Sequence, residues 1–445
     1  MTSAPADLLQ SLIAATLKAG ADAADARLSD NASLSVEVRN GELESVEREE
    51  SRGVALRALV GRRQAAVSGT DLSPDALKAL SERVVAMARL APEDKYCGLA
   101  DASEIAKDHP DLQLDCDDTP EAQELERRGV VMEEAAMAIP CVKQMSHCGA
   151  SWGAGSSWLA ASNGFFAHKT SGYSSMAAVA ISERDGAMER DHESSSERVL
   201  AKHKSPEWVG REAARRAVAR LGARKLDSQT APVIFENRLS SRLLGAFIGA
   251  ISGPAIARGV SFLKDRMEKP VFARGVDVID DPLRLAGFGS RAFDGEGRPV
   301  KRTALVKDGV LTQWLLNGPA ARQLGLAPNG FASMGFGDPP GVTTSNLDIQ
   351  PGERSLAELM KDAGKGLLVT DMFGPSLNPN TGDYSVGVSG FWFENGERAY
   401  PVSEVTVAGD IPAMLLRAIP ASDLEIRGST NAPSLLIDGM ALAGR

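Results

Sequence analysis

A chain of 445 residues with 43% apolar and only 5% aromatic residues is too long for one ordinary domain and reads as a globular protein with aliphatic cores. Its 59 acidic against 49 basic residues give a net charge of −10, which disfavours nucleic acid as a main partner, because affinity for a phosphate backbone is supplied by cations. No stretch approaches the roughly 20 apolar residues that cross a bilayer, so no membrane association is expected. The opening residues Met1 to Asp7 lack the basic segment of a secretory signal, and four cysteines (Cys97, Cys116, Cys141, Cys148) are few for this length; a reducing, cytoplasmic setting is expected.

Taken in order, Leu8, Leu9, Leu12, Ile13 and Leu17 have helical spacing. Leu34 to Arg39 alternates in period two, Asn40-Gly41 is a hairpin turn, and Glu42 to Glu49 is the partner strand. Gly53 to Gly61 and Gln64 to Gly69 read as two more strands, and Ser73-Pro74 opens a helix that stops before Pro92. The polar stretch 98–120 is expected as a linker or surface excursion. A helix from Glu121 to Ala138, strands over Cys141 to Ala161 and Phe165 to Ile181, a charged loop over Asp185 to Glu197, and a helix capped at Ser205-Pro206 follow. A third module begins at the strand Ala231 to Phe235 and the helix Asn237 to Ile251, and continues glycine-rich and mostly in strands. The expectation is an α+β protein: antiparallel sheets with flanking helices in modules 1–97 and 115–225, and a β-rich domain with one buried helix over 228–445.

Candidate chemistry is sparse. None of the five histidines shares a helical turn with another, and no His or Cys lies beyond His203, so the largest module has no nitrogen or sulfur side chain suited to zinc. The Cys141, His147, Cys148 grouping has the wrong spacing for a structural zinc site. Gly149-Ala-Ser151-Trp-Gly153 fits the string of a nucleophile elbow, with His168 and His192 downstream, but its sequel reads as a strand rather than the helix an elbow needs. Gly287 to Ala292 matches a dinucleotide fingerprint only as a string, since a turn follows it. Gly245 and Gly249 within one helix cost about 1 kcal/mol each against alanine, which implies a close approach: tight helix–sheet packing, or room for a partner or peptide.

The segments Arg39 to Glu44, Ser162 to Phe166, Leu244 to Ala250, Lys307 to Leu316, Gly382 to Ser385, Gly390 to Gly396 and Tyr400 to Gly409 together resemble the TldD/PmbA family, and within it the PmbA (TldE) branch, over essentially the whole chain. The metalloprotease branch of that family carries H-E-x-x-x-H on a helix. At the matching positions this chain has Gly245, Ala246 and Ala250, which offer neither a ligand nor a base. The resemblance therefore implies a subunit with no catalytic residues and no cofactor of its own, zinc being expected only in a TldD-like paralogue with which it forms a heterodimer. That cytoplasmic protease degrades unfolded peptides or matures ribosomally made precursors. The resemblance further implies an extended peptide bound by strand addition along Met372 to Phe391. Gly245, Gly249, Ala250, Gly253, Gly382, Asp383, Tyr384 and Ser389 are the candidate cleft or interface residues. A homodimeric peptide-binding protein and an independent serine hydrolase using Ser151 are the alternatives.

Overall fold

A computed structural model describes residues 4–333 and 335–444; Met1 to Ser3 of the expected N-terminal segment and Arg445 of the third module lie outside the described residues. Helix α1 (Pro5–Lys18) precedes three antiparallel strands, β1 (Ala23–Arg39), β2 (Glu42–Val60) and β3 (Arg63–Gly69). Asn40 and Gly41 both take positive φ between β1 and β2, the conformation a two-residue hairpin requires, and the Glu133 carboxylate accepts both their N–H groups at 3.0 and 2.7 Å. The stretches expected as separate strands at Glu42 to Glu49 and Gly53 to Gly61 are one strand of 19 residues. Helix α2 (Pro74–Leu90) begins where the Ser73 side chain accepts the Ala76 N–H.

Helix α3 (Ala122–Met137), strands β4 (Val142–Ala161), β5 (Phe166–Arg184) and β6 (Ala187–Glu197), and helix α4 (Pro206–Ala219) follow. The charged loop expected over Asp185 to Glu197 is instead strand β6, with only Asp185-Gly186 turning. Its alternation is real but inverted in polarity: the inward positions are Asp191, Glu193 and Ser195, all buried. All six strands form one sheet in the order β3-β2-β1-β4-β5-β6, so the first two modules share a single ladder joined at β1 and β4. Helices α1 and α2 cover one end of one face, with Leu9, Leu28, Val54 and Val84 beneath them. Helices α3 and α4 cover the other end through Val36, Met132, Ala150 and Val209. The stretch 98–120 has no strand or helix, yet it laces the halves together: Ala106 donates to Gly297, Leu114 accepts from Gly172, and Leu112 accepts from Ala286.

The remaining residues build around β7 (Gln229–Phe235), β8 (Lys365–Leu377), β9 (Asp383–Glu394), β10 (Glu397–Asp410) and β11 (Leu435–Ala443). Their order is β10-β9-β8-β7-β11, and β11 also pairs with β10 through Thr406↔Ala443, Val407↔Leu442 and Ala408↔Ala441, so the five strands close into a ring. Helix α5 (Asn237–Ala250) lays Leu239, Leu243, Leu244 and Phe247 into the core shared with this ring. At about 2 kcal/mol per buried side chain, that stripe fixes which way the helix faces. A second sheet of short strands, at residues 278–280, 303–307, 310–311, 347–349 and 430–431, sits beside it. Among the described residues no helix is long and apolar enough to cross a membrane.

Contact between α3 and α4 depends on Gly210, where an added Cβ would lie 1.9 Å from the Met132 carbonyl oxygen. Helix propensity alone favours alanine there by about 1 kcal/mol, but overpacking costs about 1–3 kcal/mol. Gly210→Ala is expected to lower the urea midpoint of unfolding; a raised midpoint would show that the two helices can separate freely.

Candidate functional site

Helix α5 is fixed at its start by a buried ion network spanning both halves of the chain. Glu236, immediately before the helix, pairs with Arg238 at 2.9 Å and with Arg216 of α4 at 3.5 Å. Arg238 also reaches Asp191 of β6 at 3.3 Å, and Arg220, just after α4, lies 3.1 Å from Asp371 of β8 and 3.7 Å from Asp191. Burial alone would lower the Arg238 pKa, but Glu236 and Asp191 outweigh it and raise it. Next to it, burial and the Arg238 charge hold His192 below the usual histidine range. Further along, the Ser240 hydroxyl donates to the Pro433 carbonyl at 2.8 Å, and the Ser261 hydroxyl donates to the Ala250 carbonyl at 2.6 Å. Both ends of the helix are therefore clamped.

The outward face of α5 is bare. Gly245 and Gly249 are exposed, and an added Cβ at either would meet no atom within 4 Å. The close approach expected at these glycines does not come from within the chain, so tight helix–sheet packing is not the reason for them. Ala250 is buried at 4%, and Ala246 is half-buried. None of these side chains carries a donor atom, and the adjacent charge is a cation, Arg242, which donates to the Met372 carbonyl at 3.0 Å. These residues do not fit a zinc ion. Among the described residues no group of three or more His, Cys, Asp or Glu is placed to hold a metal.

The other expected positions divide. Tyr384 lies on β9 near Arg242, and burial pushes its pKa up to about 12. Phe373 stays half exposed on β8 and stacks its ring where a side chain at Gly387 would be. Of the two, Tyr384 feels the Arg242 charge of α5. Gly382 takes φ +92° in the turn before β9, with Pro412 in the way of any Cβ, and Asp383 accepts from the Thr381 hydroxyl at 2.7 Å. Ser389 is buried in β9, and Gly253 is pressed against the Leu315 carbonyl. Strand β9 pairs with β8 on one side and β10 on the other, so strand addition cannot use it, whereas β8 pairs with β7 only through Leu367 to Val369 and its Met372 to Leu377 portion has a strand partner on one side only among the described residues. Ser151 lies mid-strand in β4 opposite Ser35 and Ser175, not on a strained turn. His168 stacks on Trp158 and His192 sits beside Asp191, so the elbow has neither its geometry nor its base.

Comparison with known proteins places this architecture. Residues 24–88, 115–221 and 228–444 match, in turn, domain 1, the central domain and the C-terminal domain of the PmbA/TldA metallopeptidases. The chain belongs to the PmbA/TldD metallopeptidase family. It is 35% identical to the metalloprotease PmbA of Escherichia coli O157:H7 over 95% of this chain and 93% of that one, and 33% identical to a PmbA homologue of Haemophilus influenzae over 96% and 93%. A Bacteroides thetaiotaomicron crystal structure described as a candidate modulator of DNA gyrase superposes with a TM-score of 0.91 at 25% identity over both whole chains. TldE of Thermococcus kodakarensis shares the fold with a TM-score of 0.87 at 17% identity, over 98% of this chain and 100% of that one.

The ion network was not visible in the sequence as a site, although arginines at 216 and 220 spaced one helical turn apart on α4 and its cap were a usable signal. Removing one member strands the others in a buried setting. Asp191→Ala, which takes a carboxylate from both Arg238 and Arg220, is expected to cost about 3 kcal/mol of stability, read by denaturant unfolding. A cost under about 1 kcal/mol, the value of an exposed pair, would mean that the network does not anchor α5.

Proposed function

We propose that this chain is the zinc-less subunit of a cytoplasmic peptidase that acts on unfolded peptides or ribosomal peptide precursors, and that it pairs with a zinc-bearing paralogue. The observation that carries this reading is the donor-free outward face of α5 in a fold belonging to a metallopeptidase family. Two glycines that cost helix stability, held in place by a buried ion network and touched by nothing in their own chain, suit the close approach of another backbone. The curated full-length relatives are named metalloproteases, and what a family helix would need for hydrolysis, two imidazoles and a carboxylate, is replaced here by hydrogen and methyl groups.

Purified alone, the chain is expected to carry no stoichiometric zinc and to leave unfolded peptides intact; from its native cell it is expected to co-purify with a paralogue bearing an intact H-E-x-x-x-H. Bound zinc with hydrolysis blocked by a chelator would overturn the reading, and recovery of the chain with only itself would favour a homodimeric peptide-binding protein instead. The glycines separate the two effects. Gly245→Ala and Gly249→Ala are each expected to stabilise the isolated chain by about 1 kcal/mol while weakening its pairing several-fold, by calorimetry and by analytical ultracentrifugation. Unchanged pairing would move the interface elsewhere.

A further inference from the structure

The face of the six-stranded sheet turned away from the helices carries a second feature that the reading above does not use. Helix-facing positions such as Ala26, Leu28 and Trp158 belong to the core beneath α1 and α2. Because side chains alternate along strands, their neighbours point the other way. Register then brings three strands together on that opposite face: Arg27 of β1 lies opposite Leu159 of β4, and Lys169 of β5 lies opposite Ser157 of β4. A loop from the C-terminal half closes over them with Arg291, Phe293 and Asp294. Two cavities of about 200 and 210 Å³ result, and they share Lys169, Arg291 and Phe293, forming one crevice between the halves.

Among the described residues, two cations of this crevice, Lys169 and Arg291, make no direct ion pair. Several buried arginines elsewhere are matched by carboxylates, Arg57 with Asp25, Arg128 with Asp118, Arg238 with Asp191 and Arg298 with Glu296, whereas Arg198 donates to backbone carbonyls. Lys169 is exposed, with no carboxylate within 4 Å and no hydrogen-bond partner among the described residues. Arg291 gives Nη2 to two neutral acceptors, the Gly330 and Thr343 carbonyls at 3.2 and 3.1 Å, and its Nε is buried without a partner. Two acids line the crevice: Asp111 is exposed and accepts the Gln113 N–H, while Asp294 accepts the N–H groups of Glu296, Arg298 and Ala332, and burial pushes its pKa up to about 6. Burial, together with Arg27 and Arg291, pulls the Lys169 pKa down to about 8. Arg291 feels the charges of Asp280 and Asp294 but pairs directly with neither among the described residues, so its buried Nε is open to completion by an anion. The surrounding wall is apolar, with Leu159, Phe293 and Ala332, and holds no helix N-terminus, which suits a carboxylate on a carbon stem better than a phosphate.

We propose that this crevice holds a carboxylate of a peptide ligand, with Lys169 and Arg291 as its charged contacts and Phe293 and Leu159 packing against the adjoining stem. The ligand class rests on the peptidase reading above; the anion site itself does not require the paralogue.

The test uses the full chain and three rhodamine-labelled, unstructured peptides of Gly, Ser and Leu: one with a free C-terminus, its C-terminal amide, and the amide with an internal Glu. Fluorescence anisotropy is expected to give binding about tenfold tighter for a carboxylate-bearing peptide than for the plain amide, the size of one charge-assisted contact. Preference for the free terminus or for the Glu peptide identifies the source of the carboxylate. Lys169→Met and Arg291→Met are each expected to reduce the acidic peptide to the level of the amide. Equal binding of acid and amide, or discrimination that survives both substitutions, would overturn the proposal, as would competition by inorganic phosphate stronger than by acetate. Should either variant fail to fold, trinitrobenzenesulfonate labelling of Lys169 in the unaltered chain decides: the acidic peptide is expected to slow it and the amide not, and equal rates would overturn the site. Retained discrimination without a co-purifying paralogue would remove the partner assignment alone, and the converse would remove the crevice alone.

Discussion

The cluster of buried charges where β6, α4 and the start of α5 meet is the contact on which the arrangement of the molecule depends. Asp191, Glu193 and Glu236 are countered by Arg216, Arg220, Arg238 and Arg427, drawn from both halves of the chain. Burial would raise the Glu193 pKa, yet Arg427 and Arg216 hold it below the usual carboxylate range. Such a network adds little net stability against an apolar core of the same volume, because desolvation offsets most of the attraction. What it adds is direction: Glu236 and Arg238 flank the first residue of α5, so the pairing sets how the helix emerges from the domain interface.

With its start fixed this way, α5 presents opposite faces to different surroundings. Leu239, Leu243, Leu244 and Phe247 fill the core, while Gly245 and Gly249 look outward into open space. The domain belongs to a metallopeptidase family, and at Gly245, Ala246 and Gly249 the helix carries no side chain able to ligate a metal. The sheet of the N-terminal half shows a similar division, with aliphatic residues under the helices and a polar, glycine-rich face away from them. Where that face meets the C-terminal half, Lys169 and Arg291 lie without direct ion pairs among the described residues.

Much of this was legible in the residues. Ser73-Pro74 and Ser205-Pro206 start helices, and Asn40-Gly41 and Asn395-Gly396 turn hairpins, because each supplies a cap or a positive φ that local physics demands. Strand β6 was hidden because its buried positions are acids whose partners come from distant segments, so the hydropathy pattern reads as a loop. The apolar stripe of α5 was readable, but which side the glycines faced was not, since spacing cannot distinguish packed space from open space. The crevice was out of reach for a related reason: Lys169 and Arg291 become neighbours only when a sheet face and a remote loop meet.

Closure of the C-terminal ring has a consequence for how the molecule is made. Strand β7 finds its outer neighbour only in β11, and the Gly444 N–H reaches the Ser228 hydroxyl across a separation of 216 residues. Contacts this remote in the chain are slow to form. During synthesis the first sheet and its helices can assemble while the lining of the ring, Val233, Val369, Val388 and Val407 among it, still awaits its last stave. The nascent protein thus passes through a stage in which it is itself an incompletely folded polypeptide, exposed to the cell's quality-control machinery until Leu435 to Ala443 has emerged.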